Sequence, residues 1–352
     1  MGMPLSCAGA LSDNGEGVDQ KCGDRTLLAV LCRGMSGRRY TRRRGRGSDL
    51  DDYVIAVRSY ARATVFPQKT YRMLAHNGLT DRLYVFVANE EERVAYEAAL
   101  AGKEYRALVV GELGGAKAIR AICRYFPRGK RIVFMDDDLD RFFAAPSPTE
   151  RFVGDATNLG CYLEDGFRTI DRWGLGAFTF SFMSNRMWLR GKPFKEFRPF
   201  TLAGNFFGTR NDPDMIVTEY SHGDDLVRSV RFLERYGGAL VYWWAGFVTR
   251  YGKEAGGMQQ SGDRGSAAAT LARTGEVSWL EYRGDPLLQA YAHEPRQETG
   301  NPFVSMRMKA LPAVRRAMVE RGVRLRSASW EWPGSTGCHR RWPLVPETGA
   351  EL

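Results

Sequence analysis

The stretch Arg131-Ile132-Val133-Phe134-Met135-Asp136-Asp137-Asp138-Leu139-Asp140 decides how the chain is read. Ile132 to Met135 is a short apolar run of strand length and strand composition. It ends in three consecutive carboxylates. Like charges crowded at one spot repel one another, and a folded chain rarely accepts this without a cation. If the chain is still extended there, Asp136 and Asp138, two residues apart, point to the same side of the strand end. Such a pair suits a hard divalent cation, Mg²⁺ or Mn²⁺, which takes oxygen ligands and keeps positions open for phosphates. A solvated acidic turn is the competing reading. The apolar strand directly before the turn favours the cation, because ligands of open α/β sheets sit just beyond the carboxyl ends of the strands.

Upstream, the chain alternates strand and helix signals. Tyr53 to Val57 is a continuous apolar run, followed by a polar loop, Arg58-Ser59-Tyr60-Ala61-Arg62. A helix is expected over Phe66 to Asn77, stopped by Asn77-Gly78. Strands are expected at 83–88 and 107–110, with a helix between them whose first turn, Glu90-Glu91-Glu92, suits the helix dipole. Gly111-Glu112-Leu113-Gly114-Gly115-Ala116-Lys117 is a glycine-rich turn into a helix over 116–126. Its backbone N–H groups can approach an anion, with Lys117 and Arg120 adding positive charge. It is neither a Walker A sequence nor the six-residue dinucleotide fingerprint. This β-α-β-α-β-α-β order predicts an α/β protein with a mostly parallel sheet and helices on both faces. Arg58, Arg62, the glycine-rich turn and the acidic turn then share one rim.

Downstream, a helix is expected over 158–173 and strands at 176–180, 201–209, 215–220 and 239–251. Residues 183–199 mix aromatic and basic side chains, a composition that stacks on rings and binds phosphates, or that forms a basic surface loop. His222-Gly223-Asp224-Asp225 opens a helix over 226–236. Asp224 and Asp225 suit helix capping; as a second acidic pair on the same fold they also suit a carboxylate that deprotonates an acceptor hydroxyl. Trp243-Trp244 reads as core. The glycine-rich stretch 253–265 has the composition of a lid. Helices are expected near 286–292 and 312–322.

The 352 residues carry a formal net charge of +10, and 43% are hydrophobic. A sizeable core is therefore expected, and wholesale disorder is excluded. The positive excess implies an acidic partner: nucleic acid, nucleotide phosphates or a membrane surface. Six arginines fall between Arg38 and Arg46, so residues 1–50 read as an Arg-rich disordered tail, either an arm for nucleic-acid phosphates or an inert leader. The six cysteines show no zinc spacing and read as reduced thiols of a cytoplasmic protein. No apolar run approaches the ~20 residues of a membrane helix, so no membrane partner is expected.

An Asp-x-Asp at a strand end, about 80 residues after the first strand of an α/β domain, resembles a GT-A glycosyltransferase. Ile55 to Arg62, Val85 to Glu92, Val109 to Gly114 and the acidic turn look, more narrowly, like the TET-associated glycosyltransferase family of phages and related elements. The resemblance is good over 53–140 and looser to 265. It implies a GT-A domain over 51–265, with a C-terminal helical extension and tail over 266–352. It further implies Mn²⁺ or Mg²⁺ held by Asp136 and Asp138, and a UDP- or GDP-sugar donor contacted by Arg58, Arg62, Asp137, Lys117 and Arg120. Asp224 or Asp225 would be the base if the enzyme inverts. His293 is the nearby candidate for a late metal-binding histidine. The implied acceptor is hydroxymethylated pyrimidine in DNA. Three alternatives stay open. One is a saccharide, lipid or protein acceptor. Another is a sugar-nucleotide pyrophosphorylase, whose first loop is normally glycine-rich, as Arg58-Ser59-Tyr60-Ala61 is not. The third is a non-enzymatic DNA-binding protein, for which three aspartates at a strand tip would repel phosphate.

Overall fold

The structure, a computed structural model, describes residues 52–145, 153–181, 185–200, 202, 204–218, 224–249 and 327–331, with positions 292–293, 305–306, 320 and 322. The Arg-rich segment 1–50, His222, the glycine-rich stretch 253–265 and most of 266–352 lie outside these residues.

In chain order the elements are β1 (Tyr53–Arg58), α1 (Thr70–His76, after a 3₁₀ turn at Phe66–Gln68), β2 (Leu83–Val87), α2 (Glu90–Ala99), β3 (Ala107–Val110), α3 (Gly115–Tyr125) and β4 (Arg131–Asp136). Next come β5 (Arg141–Ala144), β6 (Val153–Gly154), α4 (Leu159–Trp173), β7 (Ala177–Phe180), α5 (Arg186–Leu189), β8 (Lys195–Arg198) and β9 (Phe206–Arg210). The last are α6 (Pro213–Ile216), α7 (Asp224–Tyr236), β10 (Ala239–Tyr242), β11 (Ala245–Val248), the short pair β12 (Ala292–His293) and β13 (Ser305–Met306), and β14 (Ala328–Trp330).

Nine strands form one sheet in the order β14-β8-β10-β7-β9-β4-β1-β2-β3. The four strands of the first half, β3-β2-β1-β4, are mutually parallel. β9 enters antiparallel between β4 and β7, and β8 is antiparallel to both β10 and β14. Only β8 and β9 therefore run against the rest, and the sheet is mostly parallel. A small second sheet joins β11, β5 and β6.

Helices cover both faces. Ile55, Val57, Val133 and Met135 pack with Leu74 of α1, Tyr96 of α2 and Leu163 and Phe167 of α4. Their alternates Val54, Ala56, Ile132 and Phe134 pack with Ile119 and Ile122 of α3, Ile216 of α6 and Phe232 of α7. Strands buried on both faces read as continuous apolar runs rather than alternating ones, which is why β1, β2 and β4 stand out in the sequence.

Two expectations are corrected. The strand expected at 215–220 does not form over its described residues: 215–216 belong to the helical turn α6, with Pro213 in its first turn, where a missing N–H costs nothing, and 219–220 lie outside the described residues. The strand expected over 239–251 is two strands. β10 ends in the large sheet, Trp243 and Trp244 turn the chain within the core, and β11 pairs with β5. In the segment after 265 the structure adds what the sequence did not suggest, β14, an edge strand of the large sheet beside β8 that buries Trp330.

Candidate active site

The site begins with sheet register. In the parallel ladder of β1 with β4, Arg58 is the direct partner of Asp136. Both follow residues packed against α3 and α7, so both side chains leave the sheet on that face. Arg58 Nε donates to Asp136 Oδ1 at 3.0 Å, and its Nη2 donates to the Gly204 carbonyl at 3.0 Å. Nη1 lies 3.6 Å from Asp224 Oδ2, at the start of α7. One guanidinium therefore touches both acidic pairs singled out in the sequence.

The strand ends at Asp136, and Asp137-Asp138 is a turn. The extended geometry assumed for the Asp-x-Asp pair stops at its first member, two residues short of Asp138. Thr70, buried at the start of α1, closes the turn: its hydroxyl donates to the Asp136 carbonyl at 2.8 Å and accepts from the Leu139 N–H at 2.9 Å. Asp137 swings to the opposite face, where Ser59 and Arg62 bind its carboxylate and Ser59 also meets the Tyr96 hydroxyl. Its side chain is only 5% exposed, and burial, outweighing Arg62 and Ser59, pushes its pKa up to about 6. Asp138 accepts from Arg62 at 3.2 Å and from Thr249 at 3.3 Å. Asp136 is raised above the usual carboxylate range, first by burial and then by the charges of Asp138 and Asp224, against the pull of Arg58.

At the second pair, Asp224 binds Arg228, one helical turn further on and fully buried over the Phe207 ring at 4.5 Å. Burial works against the Asp224 charge, yet Arg228 and Arg58 together hold its carboxyl below the ordinary value. Asp225 is pushed the other way, to about 6, by burial and by the charge of Asp224. Its Oδ1 accepts from the Leu226 N–H at 2.9 Å, and Gly204 lies against it: a Cβ there would fall 3.3 Å from Oδ2. Two neighbouring carboxylates with pKa values driven apart are a pattern of acid–base sites.

The glycine-rich turn reaches the same place. Gly114, at φ +111°, adopts a backbone that L side chains rarely take, and a Cβ on Gly115 would lie 3.9 Å from Arg58 Nη1. No side chain caps the start of α3, which begins at Gly115 beside Arg58. Arg120 is committed to Glu112 at 2.8 Å, whereas Lys117 is exposed. His293 lies on β12, outside the large sheet.

Sequence reading missed Thr70, Gly204, Arg228 and Thr249. Only Arg228 left a signal: Asp224 and Arg228 are spaced i, i+4 on a helix, so they face each other. Thr70→Val removes the hydroxyl that closes the acidic turn and leaves two backbone groups unpaired. It should cost about 1–3 kcal/mol in denaturant unfolding, whereas Thr70→Ser should retain most of that.

Asp136 and Asp138 have the donor chemistry that a hard cation takes, and each is bonded to an arginine, Asp136 to Arg58 and Asp138 to Arg62. Their carboxylates are hard oxygen donors, and the charge of Asp138 is one of the causes that raise Asp136. Among the described residues no group of three or more His, Cys, Asp or Glu stands ready around a metal. Further ligands would therefore be phosphate oxygens and water, the usual arrangement for Mg²⁺ at a substrate diphosphate.

The class defined by fold and site is an open, mostly parallel α/β sheet with two acidic pairs on one rim. Among solved structures, it is similar to S. aureus TarS 1-349, at 14% identity and a TM-score of 0.38, over 56% of this chain. The match spans 59% of the TarS fragment. It is also similar to the mannosyltransferase PcManGT from Pyrobaculum calidifontis in complex with GDP-Man and Mn²⁺, at 12% identity and a TM-score of 0.41, over 77% of this chain and 75% of that one. No protein-family model and no curated protein matches the chain.

Proposed function

We propose that the protein is a metal-dependent glycosyltransferase of the GT-A type, moving a sugar from a UDP- or GDP-sugar to a hydroxyl of DNA, with hydroxymethylated pyrimidine as the acceptor. The observation that carries the proposal is the junction at Arg58, which joins Asp136 of the strand-tip pair to Asp224 of the helix-start pair beside an uncapped helix N-terminus. One pair suits a diphosphate and its cation, and the other suits an attacking hydroxyl.

Asp136 and Asp138 would hold Mn²⁺ or Mg²⁺ on the donor diphosphate. The ion, when bound, neutralises charge on the departing nucleoside diphosphate. The N-terminus of α3 and the exposed Lys117 suit the phosphates. Arg62 and Asp137, bound to each other, fix the turn that presents Asp138. Asp225 is the better base of its pair, because its raised pKa lies close to operating pH, while Asp224 is tied to Arg228. In an inverting reaction Asp225 takes the acceptor proton as the hydroxyl oxygen attacks the anomeric carbon and the bond to the diphosphate oxygen breaks. The catalytic domain is proposed to span 51–265, with the β14 segment completing its sheet.

The acceptor rests on the resemblance of the sequence and on the net charge of +10. If DNA is the acceptor, the Arg/Lys series in 183–199 and the arginines at 38–46 contact phosphates without reading sequence. Duplex affinity should then fall steeply with salt, with a log–log slope of roughly −0.9 per phosphate neutralised. Deleting residues 1–48 should make that slope shallower without impairing donor hydrolysis. Mass spectrometry of nucleosides from DNA of cells co-expressing this protein and a hydroxymethylating enzyme tests the acceptor directly. A hexose-sized mass increment on hydroxymethylpyrimidine is expected. Unmodified DNA, with no duplex binding at low salt, would move the acceptor to a saccharide, lipid or protein.

A further inference from the structure

Arg58 is placed for more than donor contact. Its Nε and Nη2 are used, on Asp136 and the Gly204 carbonyl. Nη1 is buried and has no hydrogen-bond partner among the described residues. It points between Asp224, at 3.6 Å, and the glycine-rich start of α3. A fixed positive charge thus sits 3.0 Å from a carboxylate assigned to a divalent cation, and its Nη1, ion-paired with Asp224 at 3.6 Å, makes no hydrogen bond among the described residues. A guanidinium and a divalent ion sharing one carboxylate repel each other strongly at this range. A diphosphate relieves that repulsion, because it supplies negative charge to the ion and an acceptor to Nη1.

We propose that Arg58 couples the two ligands: it opposes cation binding at Asp136/Asp138 and is drawn toward the donor diphosphate, so that cation and donor bind cooperatively rather than independently. The proposal rests on the metal and donor reading above. Because coupling between binding sites is reciprocal, the same residue strengthens donor binding when the cation is present. It also ties donor arrival to the other pair, since the same guanidinium touches Asp224.

Calorimetry of Mn²⁺ binding to the full-length protein, alone and with saturating UDP or GDP, tests this on wild type, Arg58→Lys and Arg58→Met. In wild type the nucleotide should tighten Mn²⁺ binding by at least about tenfold, a typical coupling. Arg58→Met should bind Mn²⁺ alone about tenfold more tightly than wild type and lose a matching part of the coupling. Arg58→Lys keeps the charge and should bind Mn²⁺ alone as weakly as wild type. If Arg58→Met does not fold, Arg58→Gln, neutral but still able to bond Asp136, takes its place. Equal behaviour of the Lys and neutral variants would mean a purely structural residue and overturn the proposal, as would unchanged coupling in the neutral variant. Failure of wild type to bind Mn²⁺ with either nucleotide would overturn both this proposal and the metal reading; a failure of coupling alone leaves that reading standing.

Discussion

Asp136→Asn and Asp138→Asn should each reduce metal-dependent binding of the nucleotide-sugar by more than a hundredfold while leaving the fold intact. Removing a group that merely orients a metal ligand typically costs 10–100-fold in affinity, and loss of a carboxylate ligand should cost more. The fold should survive because neither side chain closes the turn. Thr70 does so through backbone groups, and Asp137 anchors the turn from the other face. The asparagines also keep an oxygen for Arg58 and for Thr249. Calorimetry with Mn²⁺ and a nucleotide-sugar checks the binding, and denaturant unfolding checks the fold. Undiminished binding in both variants would remove the metal assignment.

Asp225→Asn should lower turnover on the order of 10²–10⁴-fold with donor affinity nearly unchanged, since the proposed function assigns the residue to the acceptor rather than the diphosphate. The pH dependence follows from the sign of its shift. The base acts ionised, and its pKa is raised to about 6, so turnover should fall as pH drops through 6. In Asp225→Asn the residual activity should lack that limb. Asp224→Asn differs in kind: it leaves the fully buried Arg228 without its anionic partner, and breaking such a pair costs on the order of 3–5 kcal/mol of stability. An Asp225 variant with full activity and an unchanged pH profile would leave only the capping role.

Much of this architecture was legible because β1, β2, β3 and β4 are parallel strands flanked by helices, and their apolar runs alternate with amphipathic stretches at regular spacing. The clustering of Arg58, the glycine-rich turn and the acidic turn on one rim followed from that order alone. The antiparallel insertion of β9 between β4 and β7 was not legible, because neighbour choice in a sheet is set by long-range pairing that leaves no local mark. The return of β14 to the sheet some 190 residues after β4 is hidden for the same reason. At the site, a run of three aspartates does not disclose that the strand stops at the first, since the hydroxyl that bends the chain belongs to Thr70, 66 residues away. Nor does it disclose that Asp137 faces Ser59 and Tyr96 while Asp136 faces Arg58. The different surroundings of Asp224 and Asp225 needed Arg228 and Gly204 in place.

The most direct measurement is release of nucleoside diphosphate from a panel of UDP- and GDP-sugars, without acceptor, by the full-length protein in Mn²⁺, in Mg²⁺ and in EDTA. Slow hydrolysis of at least one donor is expected, dependent on the metal, abolished by EDTA and by Asp136→Asn, and retained when residues 1–48 are deleted. Folded protein that neither binds nor hydrolyses any of these donors with either metal, or an Asp136→Asn variant as active as wild type, would contradict it.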